Sequence, residues 1–306
     1  KITYVLSFQI KQTMIINDLK KLSFLFLLAI TFSLTSCKDD EKLPAIDGYN
    51  NSDEIAATSL KGHWTFEGND KEVISNTAST KTYGTVTYTT GQIGQAISLS
   101  QAAVVYPVID ALNQKNGFGD YSVSMWLNAK NVGSFQQYFG LFPTDNTDFW
   151  GNFSVGAEAS RHAAGSDTLE IKTNYASLKE DGSTNGQDNL AVFSDNGGSF
   201  FKGAGKWSLI TVRFTAATHK IEIFANGVNV GGYSDRGENT TAMVMRTPCQ
   251  AMLGSFATTG VGFTAAPAAP DWSKMATAQV DDIRVFNKSL SDTEIKALYN
   301  VGIAGR

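Results

Sequence analysis

Short stretches of alternating apolar and polar residues recur along most of this chain. Leu60, Gly62, Trp64 and Phe66 share one parity in the first of them, and later stretches repeat the pattern at Val86/Tyr88, Ile97/Leu99, Tyr121/Val123/Met125/Leu127, Ile210/Val212/Phe214 and Ile221/Ile223. A period of two predicts β-strands that bury one face. Asn226-Gly227 is a strong tight-turn signal between two such strands. We therefore predict an all-β fold, either a sandwich or a jelly roll.

One helix is expected, near the end of the chain. Ser291-Asp292-Thr293-Glu294 has the spacing of a capping box, and Ile295, Leu298 and Tyr299 form an apolar stripe after it. Between about Tyr175 and Ser199 the sequence is rich in Gly, Asn, Ser and Asp, which predicts a long excursion from the sheets.

The first 36 residues read as an export segment. Met14 is the expected start, Lys20 and Lys21 form a positive region, and the 13-residue run 22–34 is uncharged. That run is shorter than the roughly 20 residues that cross a bilayer as a helix, but it suits a secretory signal. It ends in Leu-Thr-Ser-Cys37, which resembles the bacterial lipobox and implies a lipid on Cys37. An ordinary cleaved signal with an incidental cysteine is the alternative.

Residues 37–58 are predicted to be a flexible tether, with residues 59–306 forming the folded domain. The acidic run 38–41 resembles the signal that sends Bacteroidetes-type lipoproteins to the outer face of the outer membrane. The chain has a net charge of −4, and residues 1–36 carry four lysines and one aspartate, so the remainder has a charge of −7. This charge excludes a basic surface for nucleic acid and leaves the lipid as the only expected contact with the membrane.

Three blocks of sequence resemble the laminin-G-like, concanavalin A-like jelly-roll domains of bacterial surface proteins. They are 60–69 with 91–97 and 121–127, then 206–212 with 221–227, and finally 280–291 with 294–299. Together they cover about 59–300. The resemblance implies a lectin-like sandwich whose first and last strands lie side by side, which places the Trp64 segment beside the Asp281 segment.

The residues that catalysis would require are missing from the sequence. Laminarinase-type relatives of this fold carry two glutamates in an E-x-D-x-x-E run, and no such run is present. His63, His162 and His219 are far apart in sequence and form no zinc-binding pair; we expect His63 and His219 to be exposed imidazoles. Cys249 is expected to be a buried, inert thiol. The protein is therefore predicted not to be an enzyme.

Calcium is the ion that the resemblance favours, as a structural ion held by hard oxygen ligands. The candidate ligands are Glu67 and Asn69, after the first strand, and Asp281, on the last. Capping of a turn by Asn69 and hydrogen bonding of Asp281 to the backbone explain these residues equally well.

The candidate ligand-binding residues lie on the polar face of the central strands and in loops. If Val123, Met125, Ile210 and Ile221 fill the core, then Trp126 and its polar neighbours point outward. A tryptophan among short polar groups suits a sugar, which stacks its C–H face on the ring. The candidates are Trp126, Asn128, Arg213 and Glu222 on strands, and Tyr138, Phe149, Trp150 and Trp272 in loops.

These observations lead to one favoured hypothesis and two rivals. The favoured one is non-catalytic glycan binding at the cell surface, in a polysaccharide-capture system with outer-membrane uptake proteins as partners. The first rival is an adhesion or assembly module that binds a protein. The second is a divergent glycoside hydrolase.

Overall fold

The alternating stretches form antiparallel strands. The computed structural model describes residues 43–147, 149–157, 162–188, 200–234 and 242–306. Within these ranges the strands are β1 Leu60–Trp64, β2 Lys81–Thr90, β3 Gln95–Val105, β4 Tyr121–Ala129, β5 Phe135–Pro143, β6 Phe153–Ala157, β7 Leu169–Leu178, β8 Thr184–Asp188, β9 Phe200–Phe201, β10 Ser208–Thr215, β11 Lys220–Ala225, β12 Val228–Ser234, β13 Cys249–Leu253, β14 Ser273–Lys274 and β15 Ala276–Phe286.

The strands pair in the order β12-β11-β10-β4-β15-β3-β13-β5-β6-β7-β8, and β1 and β2 pair with β15 and β3. Apart from a short parallel contact between β14 and β5, the strand pairs in the described residues are antiparallel. Trp64 of β1 is paired with Ile283 of β15. The expected contact between the first and last strands is thus confirmed, as is the all-β jelly-roll class.

Aromatic contacts join the two halves of this strand order through one core. Tyr121 of β4 stacks on Phe153 of β6 with ring centroids 4.5 Å apart, and Tyr175 of β7 lies 4.8 Å from Phe214 of β10. The apolar set predicted to point inward is buried in this core, namely Val123, Met125, Leu127, Ile210, Val212, Ile221 and Ile223. Stacked and tilted ring pairs of this kind stabilise a sandwich beyond simple burial of area.

The predicted C-terminal helix, α1, spans Asp292–Ile303. The Ser291 side chain accepts a hydrogen bond from the Glu294 N–H, and the Glu294 side chain accepts one from the Ser291 N–H, so the capping box is confirmed. None of the helices in the described part of the chain is long and apolar enough to cross a membrane.

The folded unit begins earlier than the sequence indicates. It spans Ala45–Arg306, whereas the preceding unit, Lys1–Pro44, lies almost wholly outside the described residues, and Cys37 with it. Ile55 is fully buried in an apolar cluster with Leu298 and Val301 of α1. Asp53 lies 2.8 Å from the Arg284 guanidinium. The prediction of a tether reaching residue 58 is therefore wrong for residues 45–58.

Two segments predicted to be loops are strands. Residues 138–143 belong to β5, and residues 175–188 form the end of β7, a turn and β8. The rest of the predicted excursion, 189–199, falls outside the described residues. Short polar side chains such as Asn174 and Ser177 occupy a strand here because hydrogen bonds satisfy them, a possibility that composition alone does not reveal.

His63 and His219 are not the exposed imidazoles that the sequence predicts. His63 is buried, and its Nε2 lies 2.7 Å from the Asp282 carboxylate, whereas His219 is half-buried. Cys249 is buried as predicted, and burial raises the pKa of its thiol to about 12. At neutral pH this thiol is protonated and a poor nucleophile.

Candidate functional site

Helix α1 covers the face that was expected to be open. Trp126 is 1% exposed, its ring lies 5.9 Å from Tyr299, and a Cβ on Gly302 would approach the indole to 2.8 Å. The helix buries this ring together with Leu298 and Val301. The expectation that Trp126 faces solvent and meets a ligand is therefore wrong.

Arg213 and Glu222 hold this cover in place. The Arg213 guanidinium lies 2.8 Å from Glu222 and 2.6 Å from Asp292 at the start of α1, and it donates to the Leu290 carbonyl. These pairs and the stack of Arg213 over Phe224 occupy the polar atoms assigned to a ligand. The predicted binding role is wrong for both residues: Arg213 joins the start of the helix to the sheet, and Glu222 pairs with Arg213.

Two further candidates also lie away from an open site. Tyr138 is buried in the main core, and this burial raises the pKa of its hydroxyl. The Asn128 side chain donates to Gln279 across neighbouring strands. Tyr138 is therefore not a ligand contact, and Asn128 pairs with Gln279 across two neighbouring strands.

The three predicted calcium ligands accept hydrogen bonds from backbone N–H groups in turns. The Glu67 carboxylate accepts from the Gln95 N–H, and Asp281 accepts from the Ile93 N–H, so both hold the turn at residues 91–95. The Asn69 side chain closes a local turn with the Lys71 N–H. No group of three or more His, Cys, Asp or Glu suitable for a metal occurs in the described ranges. The hydrogen bonds of these three residues match backbone capping, the alternative that the sequence offered beside calcium binding.

The remaining three candidates come together in one aromatic cluster. The Trp150 and Trp272 rings lie 6.5 Å apart at an interplanar angle of 26°, and Phe149 lies 5.7 Å from Trp272. Phe135 and Phe256 pack beneath them. Trp150 and Trp272 remain 37% and 47% exposed. Exposed tryptophans this close together are uncommon on a soluble surface and mark a binding patch.

Local hydrogen bonds fix both tryptophans. Asn146, which is fully buried, donates to the Trp150 carbonyl at 2.7 Å. The Trp272 carbonyl accepts from the Phe135 N–H at the start of β5, next to the parallel contact of β14 with that strand. The backbone that carries each ring is therefore anchored before any ligand arrives, which lowers the entropy cost of binding.

These rings flank a cleft of about 320 Å³, here named the Trp272 cleft. The residues that line it are Phe135, Gln137, Trp150, Ser154, Lys172, Thr173, Asn174, Asp188 and Trp272. Trp150 and Trp272 come from loops, and the other lining residues come from β5, β6, β7 and β8. An aromatic rim over amide, hydroxyl and charged groups is the usual composition of a small-ligand site.

The polar floor follows from strand alternation. In β7, Ile171 and Tyr175 enter the core, which turns Lys172 and Asn174 to the other face. The Lys172 ammonium lies 3.0 Å from the Asp188 carboxylate on β8. Lys172 and Asn174 are not among the residues predicted from the sequence, although the alternation in Leu169–Tyr175 is the signal that could have identified them.

The cleft carries a single carboxylate among its described lining residues, that of Asp188. Hydrolysis of a glycoside by the common mechanisms needs two carboxyl groups on opposite sides of the bond.

Comparison with known proteins gives similarity in structure alone. No protein-family model and no curated protein sequence matches the chain. Botulinum neurotoxin type C, whose cell entry depends on interaction with two ganglioside molecules, matches 81% of this chain at 13% identity with a TM-score of 0.51. The binding domain of botulinum neurotoxin DC, solved with rat synaptotagmin II, matches 80% at 14% identity with a TM-score of 0.50.

Each of these matches spans about half of the toxin chain, 52% in both cases. Domain 4 of AbnA, an extracellular arabinanase of Geobacillus stearothermophilus solved with arabinotriose, matches 79% of this chain and 98% of its own at 17% identity, with a TM-score of 0.49. At such identities the toxin domains establish the fold. The chain is an all-β jelly-roll sandwich closed by a C-terminal helix.

Proposed function

We propose that this protein is a non-catalytic glycan-binding module and that the Trp272 cleft is its binding site. The observation that carries the proposal is the pair of exposed indoles, 6.5 Å apart, beside a floor of Gln137, Ser154 and Asn174. Sugar rings present C–H groups that pack on indole faces, and hydroxyls that pair with amides and hydroxyls.

Three further points support it. The described lining lacks the second carboxylate that glycoside hydrolysis needs. The fold is shared with a toxin whose cell entry depends on gangliosides, so it is compatible with glycan recognition. The two tryptophans are held by buried or strand-edge hydrogen bonds, which suits a preformed site.

Affinity electrophoresis through gels containing neutral polysaccharides tests the proposal. At least one polysaccharide should retard the protein, and Trp272→Ala should abolish most of the retardation while the protein remains folded. Val228→Ala is a matched control, because Val228 is an exposed apolar residue on β12, outside the cleft lining.

Migration that no polysaccharide changes would contradict the proposal. Capture of a defined outer-membrane protein by the wild type, lost in Trp272→Ala, would instead favour the adhesion or assembly role. Turnover of a glycan that Asp188→Asn abolishes would favour a divergent hydrolase.

We also propose that the module is held on the outer membrane, facing the exterior, by a lipid on Cys37. The support is the sequence of residues 20–41, with its positive region, apolar run, lipobox-like ending and acidic continuation. Cys37→Ser should release the protein from the membrane fraction of the bacterium. Protease added to intact cells should remove the wild-type protein from the surface. Retention of Cys37→Ser in membranes would contradict the anchor.

A further inference from the structure

A second hollow of about 220 Å³ adjoins the Trp272 cleft; we name it the Gly186 hollow. Its lining residues are Trp150, Asn174, Tyr175, Ala176, Gly186, Gln187 and Asp188. Trp150, Asn174 and Asp188 line both spaces. The two spaces therefore form one continuous groove over β7 and β8, with the exposed indole of Trp150 as a wall common to both.

The Gly186 hollow exists because two facing positions lack bulk. Gly186 of β8 is paired with Ala176 of β7, and a Cβ placed on Gly186 would meet no atom within 4 Å. A larger side chain at either position would occupy the space without displacing backbone. Glycine inside a strand weakens the strand and often marks a place where another molecule approaches closely.

The groove offers little net charge to a ligand. Lys172 and Asp188 are its charged lining residues within the described chain, and they are paired with each other at 3.0 Å. The other polar lining groups are amides and hydroxyls, from Gln137, Ser154, Thr173, Asn174 and Gln187. Such a surface is matched to an uncharged polyhydroxylated chain rather than to a polyanion.

We infer that the two spaces are consecutive subsites for one neutral sugar chain, with one unit in the Trp272 cleft and a following unit in the Gly186 hollow. The inference rests on the proposed glycan-binding function and adds the ligand class to it. A single sugar fills one subsite, so affinity grows when a second unit reaches the other. Both spaces have exposed lining residues, namely Trp272 in the cleft, Gly186 in the hollow and Trp150 in both.

Isothermal titration calorimetry tests the inference with gluco-, xylo-, manno- and arabino-oligosaccharides of one to six units. In each series that binds, affinity should rise at least tenfold between one unit and three and then level off. Gly186→Leu should reduce the affinity for the longer chains to about that of the single unit. Trp272→Ala should weaken every length.

Gly260→Leu is the matched control, since Gly260 is exposed, has an unstrained backbone and lines neither space. If Gly186→Leu lowers the melting temperature, Ala176→Leu fills the same hollow from β7. Equal affinity for all lengths, or unchanged length dependence in both filling variants, would overturn the two subsites while leaving the proposed function intact. Absence of binding in every series would overturn both.

Discussion

The Lys172 ammonium lies 3.0 Å from the Asp188 carboxylate, and this pair joins β7 to β8 in the floor of the Trp272 cleft. The Lys172 side chain is only 10% exposed, so the Asp188 carboxylate offsets a largely desolvated positive charge. We predict that Asp188→Asn removes one negative charge from the cleft lining and raises the affinity of the protein for uronate-containing polysaccharides. The added affinity should decrease as the salt concentration is raised from 50 to 500 mM, because ionic screening weakens such contacts.

Affinity gels containing an acidic and a neutral polysaccharide measure this change. Asp167→Asn is the control, because it removes the aspartate of the exposed Lys202–Asp167 pair, which does not line the cleft. Equal affinity of wild type and Asp188→Asn for the acidic polysaccharide would show that the pair does not set the charge preference.

Trp126 is predicted to matter for stability and not for binding. Its indole is buried beneath α1 against Tyr299, so Trp126→Ala leaves a cavity between helix and sheet. Truncations of this kind cost about 3–5 kcal/mol of unfolding free energy. Urea unfolding measures the loss, and Trp126→Phe should lose less. A variant that keeps its stability but loses sugar affinity would place Trp126 in the site after all.

Asp281 should make the protein less stable as pH rises through neutrality. Burial raises the pKa of this carboxyl to about 7, and the neighbouring Asp282 adds to the rise, against the hydrogen bond from Ile93. The folded state then holds the proton more tightly than the unfolded chain, in which aspartate titrates near 4. The stabilisation is complete below about pH 4 and is lost as pH rises through about 7.

Asn cannot titrate, so the stability of Asp281→Asn relative to wild type should increase from pH 4 to pH 8. Chemical denaturation across this range measures the difference, with a chelator present so that bound metal does not contribute. Parallel pH profiles for the two proteins would contradict the raised pKa.

Residues 45–58 should contribute to folding stability. Ile55 is fully buried, and the side chain of Asn300, in α1, donates a hydrogen bond to the Asp47 carboxylate at 2.7 Å. Ile55→Ala is expected to cost about 2–5 kcal/mol. Leu43→Ala, at an exposed position before the unit, is the control. Equal unfolding curves for wild type and Ile55→Ala would mean that the segment is a tether.

The strands, the core and the final helix were predictable because each depends on local patterns. Alternation identified Val123, Met125 and Ile210 as core residues, and the Ser291–Glu294 spacing identified the helix start. What covers the polar face of β4 and β10 was not predictable. That depends on where α1 docks, which is a tertiary contact between residues about 170 positions apart.

The site was only partly predictable for the same reason. Phe149, Trp150 and Trp272 were identified as loop aromatics, but their assembly required β14 to lie beside β5. Asp188 was missed because β8 lies in a Gly- and Asn-rich stretch that resembles a loop in composition. A cross-strand ion pair and side-chain hydrogen bonds are formed by residues of this hairpin, and sequence periodicity does not predict such contacts.

Oxidation of tryptophans by N-bromosuccinimide, mapped by mass spectrometry with and without a retarding oligosaccharide, tests the central claim most directly. Without sugar, Trp150 and Trp272 should react first, because they are 37% and 47% exposed while Trp64 and Trp126 are buried. Sugar should protect Trp150 and Trp272 and leave the half-buried Trp207, which lies outside the cleft lining, unchanged. If saturating sugar left the oxidation rates of Trp150 and Trp272 the same as without sugar, the assignment of the Trp272 cleft as the glycan-binding site would be contradicted.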